Sequence, residues 1–179
     1  MFRCLLFQQN TFIKMKTIQL PFDIALAPIT HLTAGTLTCI YEEVKLRYIK
    51  KGKFEILRMI YVAVRDKNWT TAPYKIEEEK IQSNDKSFLI SYTAFHELGE
   101  IRYKSFVEIK GEEDGAISFS FKGEALSSFQ RNRIGLCVLH PMKECAGNKA
   151  TIISPDGSSY EGLFPKQVSP HQPFKNIEQ

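Results

Sequence analysis

SFLISYTAFHELGEIRYKSFVEIKGEEDGAISFSFK, residues 87–122, is the stretch that decides the fold. Apolar side chains occupy every second position of its first ten residues, which is the period of a β-strand. One face of that strand would carry Phe88, Ile90, Tyr92, Ala94 and His96. Two more alternating runs follow, and glycine-bearing connections separate them. The stretch therefore predicts antiparallel strands joined by tight turns.

The residues upstream continue the same pattern. Predicted strands cover Leu32 to Glu42, Leu46 to Lys50, a more apolar run from Phe54 to Val64, and an exposed run from Tyr74 to Gln82. No segment before Ala125 has the spacing of a three-turn amphipathic helix. The predicted fold class is all-β, with antiparallel sheets packed face to face as a β-sandwich.

Composition limits the classes of partner and location. The chain has 179 residues, 43% hydrophobic, which is enough to build one core without disulfides. Its net charge of +4 comes from dispersed lysines, so we expect no nucleic-acid partner. No run reaches the about 18 apolar residues of a membrane span, and no signal-peptide pattern is present, so a cytoplasmic protein without a membrane partner is predicted.

The composition also changes along the chain. We expect residues 1–16 to be a loosely ordered N-terminal extension, because a more natural beginning lies at Met15 and Lys16. Residues 17–160 are predicted to form the sandwich. Residues 161–179 contain three prolines and few core-forming residues, which is typical of a linker.

The segment Ser127 to Gly147 contains a first group of candidate site residues. Arg131, Asn132 and Arg133 run into an apolar strand that is predicted to be buried, and His140 and Glu144 follow it. Paired guanidinium groups suit a carboxylate or sugar-acid ligand. The alternative is structural, with the arginines paired to Asp66 or Glu124. His140 and Glu144 are residue types that transfer protons, although no nucleophile motif accompanies them.

A second polar group ends the preceding apolar strand. It consists of Arg65, Asp66, Asn68 and Trp69. An exposed tryptophan beside an amide and a carboxylate can hold a sugar ring. The alternative is that Trp69 covers the edge of the core or contacts another domain.

The cysteines do not form a complete metal-binding motif or a clear disulfide framework. Cys137, His140 and Cys145 supply three local metal ligands where a structural zinc site needs four, and Cys137 lies in an apolar run that is predicted to face the core. We therefore predict no metal and no cofactor. Reduced thiols are expected, although the spacing permits a Cys137–Cys145 disulfide.

Three blocks carry a resemblance to a known family. They are YVAVRDKNWTT (61–71), RNRIGLCVLHPMKECAG (131–147) and SPDGSSYEGLFPKQVSPHQPFKNIEQ (154–179). Together they resemble the D-apionate lactonase family, whose members combine an N-terminal β-sandwich, a (β/α)8 barrel like those of glycoside hydrolases, and a C-terminal β domain. The resemblance implies that this chain is the sandwich, that residues 161–179 lead towards the barrel, and that the barrel is its partner. It transfers no catalytic residue to a position in this chain.

Three functional hypotheses follow. The first is an accessory domain, inactive alone, of a carbohydrate-active enzyme that opens a sugar-acid lactone. The second is a free-standing sugar or sugar-acid binding module that uses Trp69, Arg131 and Arg133. The third is an autonomous enzyme on a galactose-mutarotase-like supersandwich, one form that the predicted sandwich can take. That enzyme needs His96, His140 and Glu144 to converge.

Overall fold

The structure is a computed structural model that describes residues 27–154 and 156–167. The predicted N-terminal extension, Cys4 and the first ten residues of the predicted sandwich lie outside the described residues. So does the end of the predicted linker, from residue 168.

The described residues are almost entirely β-structure, with one short helix. The strands are β1 (Thr30–Ala34), β2 (Leu37–Glu42), β3 (Lys45–Lys51), β4 (Phe54–Asp66), β5 (Tyr74–Ser83), β6 (Phe88–Leu98), β7 (Ile101–Gly111), β8 (Ile117–Ala125), β9 (Arg131–Leu139), β10 (Lys149–Ile153) and β11 (Ser159–Leu163). The helix α1 (Met142–Cys145) lies between β9 and β10. In the part of the chain that is described, no helix has the length and apolar character needed to cross a membrane.

Two antiparallel sheets form the body of the domain. The first sheet has the strand order β1-β2-β3-β4-β9, and the second has the order β5-β6-β7-β8. Strands β10 and β11 form a separate antiparallel hairpin. The two sheets pack against each other around two hydrophobic clusters, so the predicted all-β sandwich is confirmed. The supersandwich form stays a prediction.

Strict alternation places the core between the sheets. Along β7 every odd-numbered residue from Ile101 to Gly111 is buried, and every even-numbered one is exposed. The buried face of β6 carries the five residues that the sequence pattern assigned to it, including His96. Because successive side chains point to opposite faces of a strand, the pattern fixes which half of each strand meets the opposite sheet.

One predicted strand is two strands. The expected strand from Leu32 to Glu42 is broken at Gly35, where a turn joins β1 to β2. Gly35 has a φ of 53°, and a Cβ there would lie 2.4 Å from the backbone oxygen of Glu113. Glycine permits both the backbone conformation and the close approach of the β7–β8 turn. The sequence prediction was wrong here because the run on either side of Gly35 continues to alternate.

Tyrosine hydroxyl groups join the two sheets at the β2–β3 turn. Glu43 and Val44 both have positive φ, of 46° and 56°, which is unusual for a β-branched valine. The hydroxyl of Tyr92 donates to the backbone carbonyl oxygen of Val44 at 3.2 Å. The hydroxyl of Tyr74 donates to the backbone carbonyl oxygen of Glu43 at 3.1 Å. These bonds from β6 and β5 hold a strained turn of the first sheet against the second sheet.

Strand β9 is less buried than the sequence predicts. Its nine residues are half-buried or exposed, and none is fully buried. The reason is its position, because β9 forms one edge of the first sheet and has a neighbour on one side only. The core-facing apolar side chains of β9 lie at an edge of the sheet that no further described strand covers.

The ordered structure also extends past the predicted sandwich boundary at residue 160. Strand β11 runs to Leu163 and pairs with β10, so the first residues of the predicted linker are part of a hairpin.

His96 is a buried ionisable group of the core. It is 2% exposed, and its Nε2 lies 3.2 Å from the hydroxyl of Ser105. Burial lowers the pKa of His96, an effect that a hydrogen bond with the backbone of Ala72 partly opposes. A protonated imidazole at this position would carry an uncompensated charge in the core.

We predict that His96 makes the fold sensitive to acid. Its folded pKa lies below the ordinary value of about 6.5, so the unfolded chain binds a proton before the folded chain does. Above about pH 6.5, His96 should not affect the free energy of unfolding. As the pH drops from about 6.5 towards the folded pKa, the free energy of unfolding should fall by up to about 1.4 kcal/mol per pH unit.

Urea denaturation at a series of pH values would measure this dependence. His96→Gln should flatten it. The pKa of His140 is also lowered by burial. His140→Gln is therefore the matched comparison, because it shows how much of the pH dependence of the free energy of unfolding comes from His140. An unchanged pH dependence in His96→Gln would contradict the assignment.

Candidate functional site

The pairing of β4 with β9 sorts the predicted site residues into two groups. Asp66 pairs with Arg131 at one end of the ladder, and Met59 pairs with Leu139 at the other. The loop after β4 therefore lies beside Arg131 to Arg133, whereas His140 and Glu144 follow the far end of β9. Eight residue steps along a strand span about 26 Å. The structure brings together the first group and separates it from the second.

Asp66 organises the loop that carries Asn68 and Trp69. Its Oδ1 accepts the backbone N–H of Asn68 at 2.8 Å and that of Thr70 at 2.9 Å. The backbone of Asp66 also bonds with Trp69 and Thr70. A short aspartate side chain that accepts bonds from following amides is the usual way to fix such a turn. The Asp66 carboxylate thus has a structural role in shaping the loop.

Trp69 is presented at the surface by this loop. It has a φ of 70° and is 52% exposed. The guanidinium carbon of Arg133 lies 5.6 Å from its ring centroid, and that of Arg65 lies 5.7 Å away. Both distances fit cation–π contacts. Trp69, Arg65 and Arg133, which we call the tryptophan–arginine cluster, form an exposed surface of mixed aromatic and cationic character.

Arg65 connects this cluster to β9. Its Nη2 donates weakly to the hydroxyl of Tyr61 at 3.4 Å and to the Sγ of Cys137 at 3.8 Å. Burial raises the pKa of Tyr61, and Cys137 adds to the rise while Arg65 opposes it. The prediction that Cys137 faces the core was therefore wrong. Its neighbours Leu136 and Val138 face the core, and alternation turns Cys137 to the outer side.

A β-bulge separates Arg131 from Arg133. Between the pairs Val64–Ile134 and Asp66–Arg131, two residue steps of β4 match three steps of β9. Such a bulge changes the direction of nearby side chains. Arg133 lies over Trp69, whereas Arg131 lines a groove with Tyr103 on the other side. The hypothesis of one ligand held by both guanidinium groups loses its geometric basis.

The side-chain amides of Asn132 and Asn68 also lie at this end of the β4–β9 pair. Asn132 lies on the bulge and is half-buried, and the side chain of Asn68 is exposed in the loop.

His140 and Glu144 lie in the segment around α1. The ring of His140 packs against Phe164, with 5.0 Å between centroids. The backbone oxygen of Glu144 accepts a bond from Asn148, and its Oε2 is buried without a hydrogen-bond partner among the described residues. No described contact joins the two side chains as an acid–base pair. The thiol of Cys145 has a raised pKa because of burial and the neighbouring Glu144.

The hypothesis of an autonomous enzyme fails on geometry. His96 is enclosed in the core and lines a small cavity with Val62, which pairs with Leu136. His140 follows four residues after Leu136, about 13 Å further along the strand. The His96 imidazole is inaccessible to a substrate, and it does not converge with His140 and Glu144.

Metal ligands are not grouped in the described ranges. No set of three His, Cys, Asp or Glu side chains there could hold a metal ion. Cys39, Cys137 and Cys145 are free thiols, so the permitted Cys137–Cys145 disulfide is not formed.

The sequence patterns did not single out the groove beside Arg131. Tyr103, Phe121 and Phe129 line it, and none of them was among the predicted site residues. One signal was present, because Gly123 interrupts β8 and a glycine inside a strand often marks a close approach by another group.

Comparison with known proteins identifies related sequences. The family described as "D-apionate lactonase, N-terminal domain" matches residues 21–179. A D-apionate lactonase from Brucella anthropi is 31% identical over 150 residues, which cover 83% of this chain and 24% of the relative. The chain thus spans about a quarter of the length of that relative. No solved structure matches the chain.

The tryptophan–arginine cluster predicts how the fluorescence of Trp69 responds to charged quenchers. Trp69 is the single tryptophan of the sequence, so its emission reports on this site alone. Two nearby guanidinium groups should attract iodide and repel caesium. Iodide should quench several-fold more strongly than caesium at low ionic strength.

Arg133→Gln should reduce this preference, and Lys67→Gln is a matched control in the same loop. Equal quenching by both ions in the unmodified protein would contradict the arrangement.

Proposed function

This chain belongs to the D-apionate lactonase N-terminal domain family, and we propose that it is the non-catalytic accessory domain of a D-apionate-lactonase-like hydrolase. In this proposal the complete enzyme opens a sugar-acid lactone by hydrolysis in the cytoplasm. The sandwich packs against a (β/α)8 barrel in the same polypeptide, and residues 161–179 lead towards that barrel. Active sites of such barrels lie on loops at the strand ends.

The observation that carries the proposal is the family match combined with its partial length. A relative with an enzyme name is about four times as long as the matched segment, which covers 24% of it. The family description places this segment at the N-terminus. Most of the relative therefore consists of other sequence, where the catalytic groups can lie.

The arrangement of reactive side chains supports a non-catalytic role. His96 is enclosed in the core, and no described contact pairs His140 with Glu144. General acid–base catalysis needs groups within hydrogen-bond reach of the reacting atoms. The three candidates His96, His140 and Glu144 do not form such a pair.

Exposed apolar side chains support packing against another domain. Of the fourteen large hydrophobic residues that are exposed within the described ranges, five lie in residues 139–163 and the other nine are spread over residues 27–138. We call the five the C-terminal apolar set: Leu139, Met142, Ile153, Tyr160 and Leu163. Ile153 and Leu163 are 67% and 63% exposed on the same face of the β10–β11 hairpin. Thr151 and Glu161 lie between them on that face, so the two side chains are separate contact points that the proposed barrel domain would cover.

The alternative of a free-standing sugar-binding module has less support. It requires Trp69, Arg131 and Arg133 in one site, and the bulge in β9 places Arg131 beside Tyr103 and Arg133 on Trp69.

We predict that the isolated chain has no lactonase activity and that activity depends on the remaining polypeptide. The test replaces the matching segment of the Brucella anthropi relative with this chain and compares this chimera with the chain alone. D-Apionolactone is the substrate. Turnover should be found for the chimera only, and turnover by the isolated chain would overturn the proposal.

The same chimera tests the interface. Ile153→Ser with Leu163→Ser should weaken domain packing by about 1–3 kcal/mol, because burial of these side chains is lost. The thermal unfolding midpoint of the chimera should fall, while that of the isolated chain should stay unchanged. Leu89→Ser with Phe106→Ser, exposed on the outer face of the second sheet, is the matched control. An equal fall in both double variants would place the interface elsewhere.

A further inference from the structure

A groove of about 640 Å³ lies on the open side of the sandwich. Its walls come from β7, β8, the connection after β8 and the start of β9. Strand β8 is an edge of the second sheet and β9 is an edge of the first, so the groove lies where the two sheets leave the core uncovered. It is broadly open to solvent.

Gly123 leaves space for the phenol of Tyr103 at the floor of this groove, where the side chain is 8% exposed. The two residues lie on neighbouring strands, and both line the groove. A Cβ at position 123 would lie 1.7 Å from the hydroxyl oxygen of Tyr103. Any other residue at this position would displace the phenol. The glycine weakens the strand and leaves room for a hydroxyl group at the groove floor.

Arg131 supplies the charge of the groove. It is exposed, and among the lining residues it alone carries a charge at neutral pH. Its electrostatic effect reaches Tyr103, because burial raises the pKa of the phenol and the positive charge of Arg131 lowers it. The bulge in β9 is the reason that Arg131 lies here while Arg133 lies on Trp69.

The remaining lining groups are aromatic rings and hydroxyl groups. Phe121 and Phe129 are half-buried, so part of each ring is accessible. The hydroxyl of Ser127 is engaged with the backbone of Glu100 at 2.7 Å, whereas Ser128 is exposed beside it. Aromatic faces pack against the C–H groups of sugars, and a guanidinium group binds a carboxylate through two hydrogen bonds.

We propose that this groove binds a small sugar acid in its open form, with the carboxylate on Arg131 and the carbon chain against Phe121 and Phe129. The choice of a sugar acid rests on the proposed function, since lactone hydrolysis releases such an acid. A lactone is uncharged and offers Arg131 no carboxylate. The groove therefore favours the product class of the reaction over its substrate class.

Nitrogen–proton NMR titration of the full 179-residue chain tests the proposal. The probes are D-gluconate, the uncharged sugar D-glucose, and acetate as a carboxylate without a carbon chain, all at one ionic strength. Gluconate should shift the amide signals of Ser128 and Phe129. Glucose and acetate should bind at least tenfold more weakly.

Arg131→Gln should weaken gluconate binding at least tenfold, and Arg133→Gln should leave it unchanged. Arg133 is the matched control because it lies on the same strand but contacts Trp69. Unshifted regions of the spectrum verify that each variant is folded.

The proposal is overturned by an absence of shifts at tens of millimolar gluconate, by acetate binding as tightly as gluconate, or by equal weakening in both arginine variants. None of these results affects the chimera experiment. Failure of the sugar-acid site is therefore distinguishable from failure of the accessory-domain proposal.

Discussion

The pairing of β4 with β9 is the contact on which the rest of the structure depends. The chain leaves β4 at Asp66, builds the whole second sheet, and returns at Arg131 to pair with the strand that it left. This long-range ladder fixes the order of the first sheet. It also holds the Trp69 loop beside Arg133, and it directs the chain into α1 and the final hairpin. A pairing between residues so distant in sequence carries a large loop-closure cost, which the contacts of the intervening sheet help to offset.

The sequence predicted the second sheet more completely than the first, and the reason is physical. In β6 and β7 every other residue is buried and short glycine-bearing turns join the strands, so local alternation and turn chemistry agree. In the first sheet the turn at Gly35 lies inside a continuous alternation, and its cause is the approach of Glu113 from another hairpin. No local pattern reports such a contact. The half-burial of β9 likewise depends on its place at the sheet edge, which only the complete strand order reveals.

The candidate site shows the same division between local and long-range information. The sequence identified the residue types that gather at the ends of β4 and β9, and the loop of Asp66 and Trp69 does meet Arg133. The sequence could not show that a one-residue bulge assigns Arg131 to the groove, or that the length of β9 keeps His140 away. Tyr103 was missed because it lies within an alternating strand that gave no reason to single it out. Its place at the groove floor depends on a glycine in the neighbouring strand.

The central claim is that this sandwich serves as an accessory domain that packs through the residues at its C-terminal end. Hydrogen–deuterium exchange measures this packing directly when the isolated chain is compared with the chimera that contains the rest of the Brucella anthropi relative. Our account predicts that the amides of residues 139–163 exchange more slowly in the chimera, while those of β6 and β7 are unchanged. Slower exchange confined to the second sheet, or identical exchange in the two proteins, would contradict it.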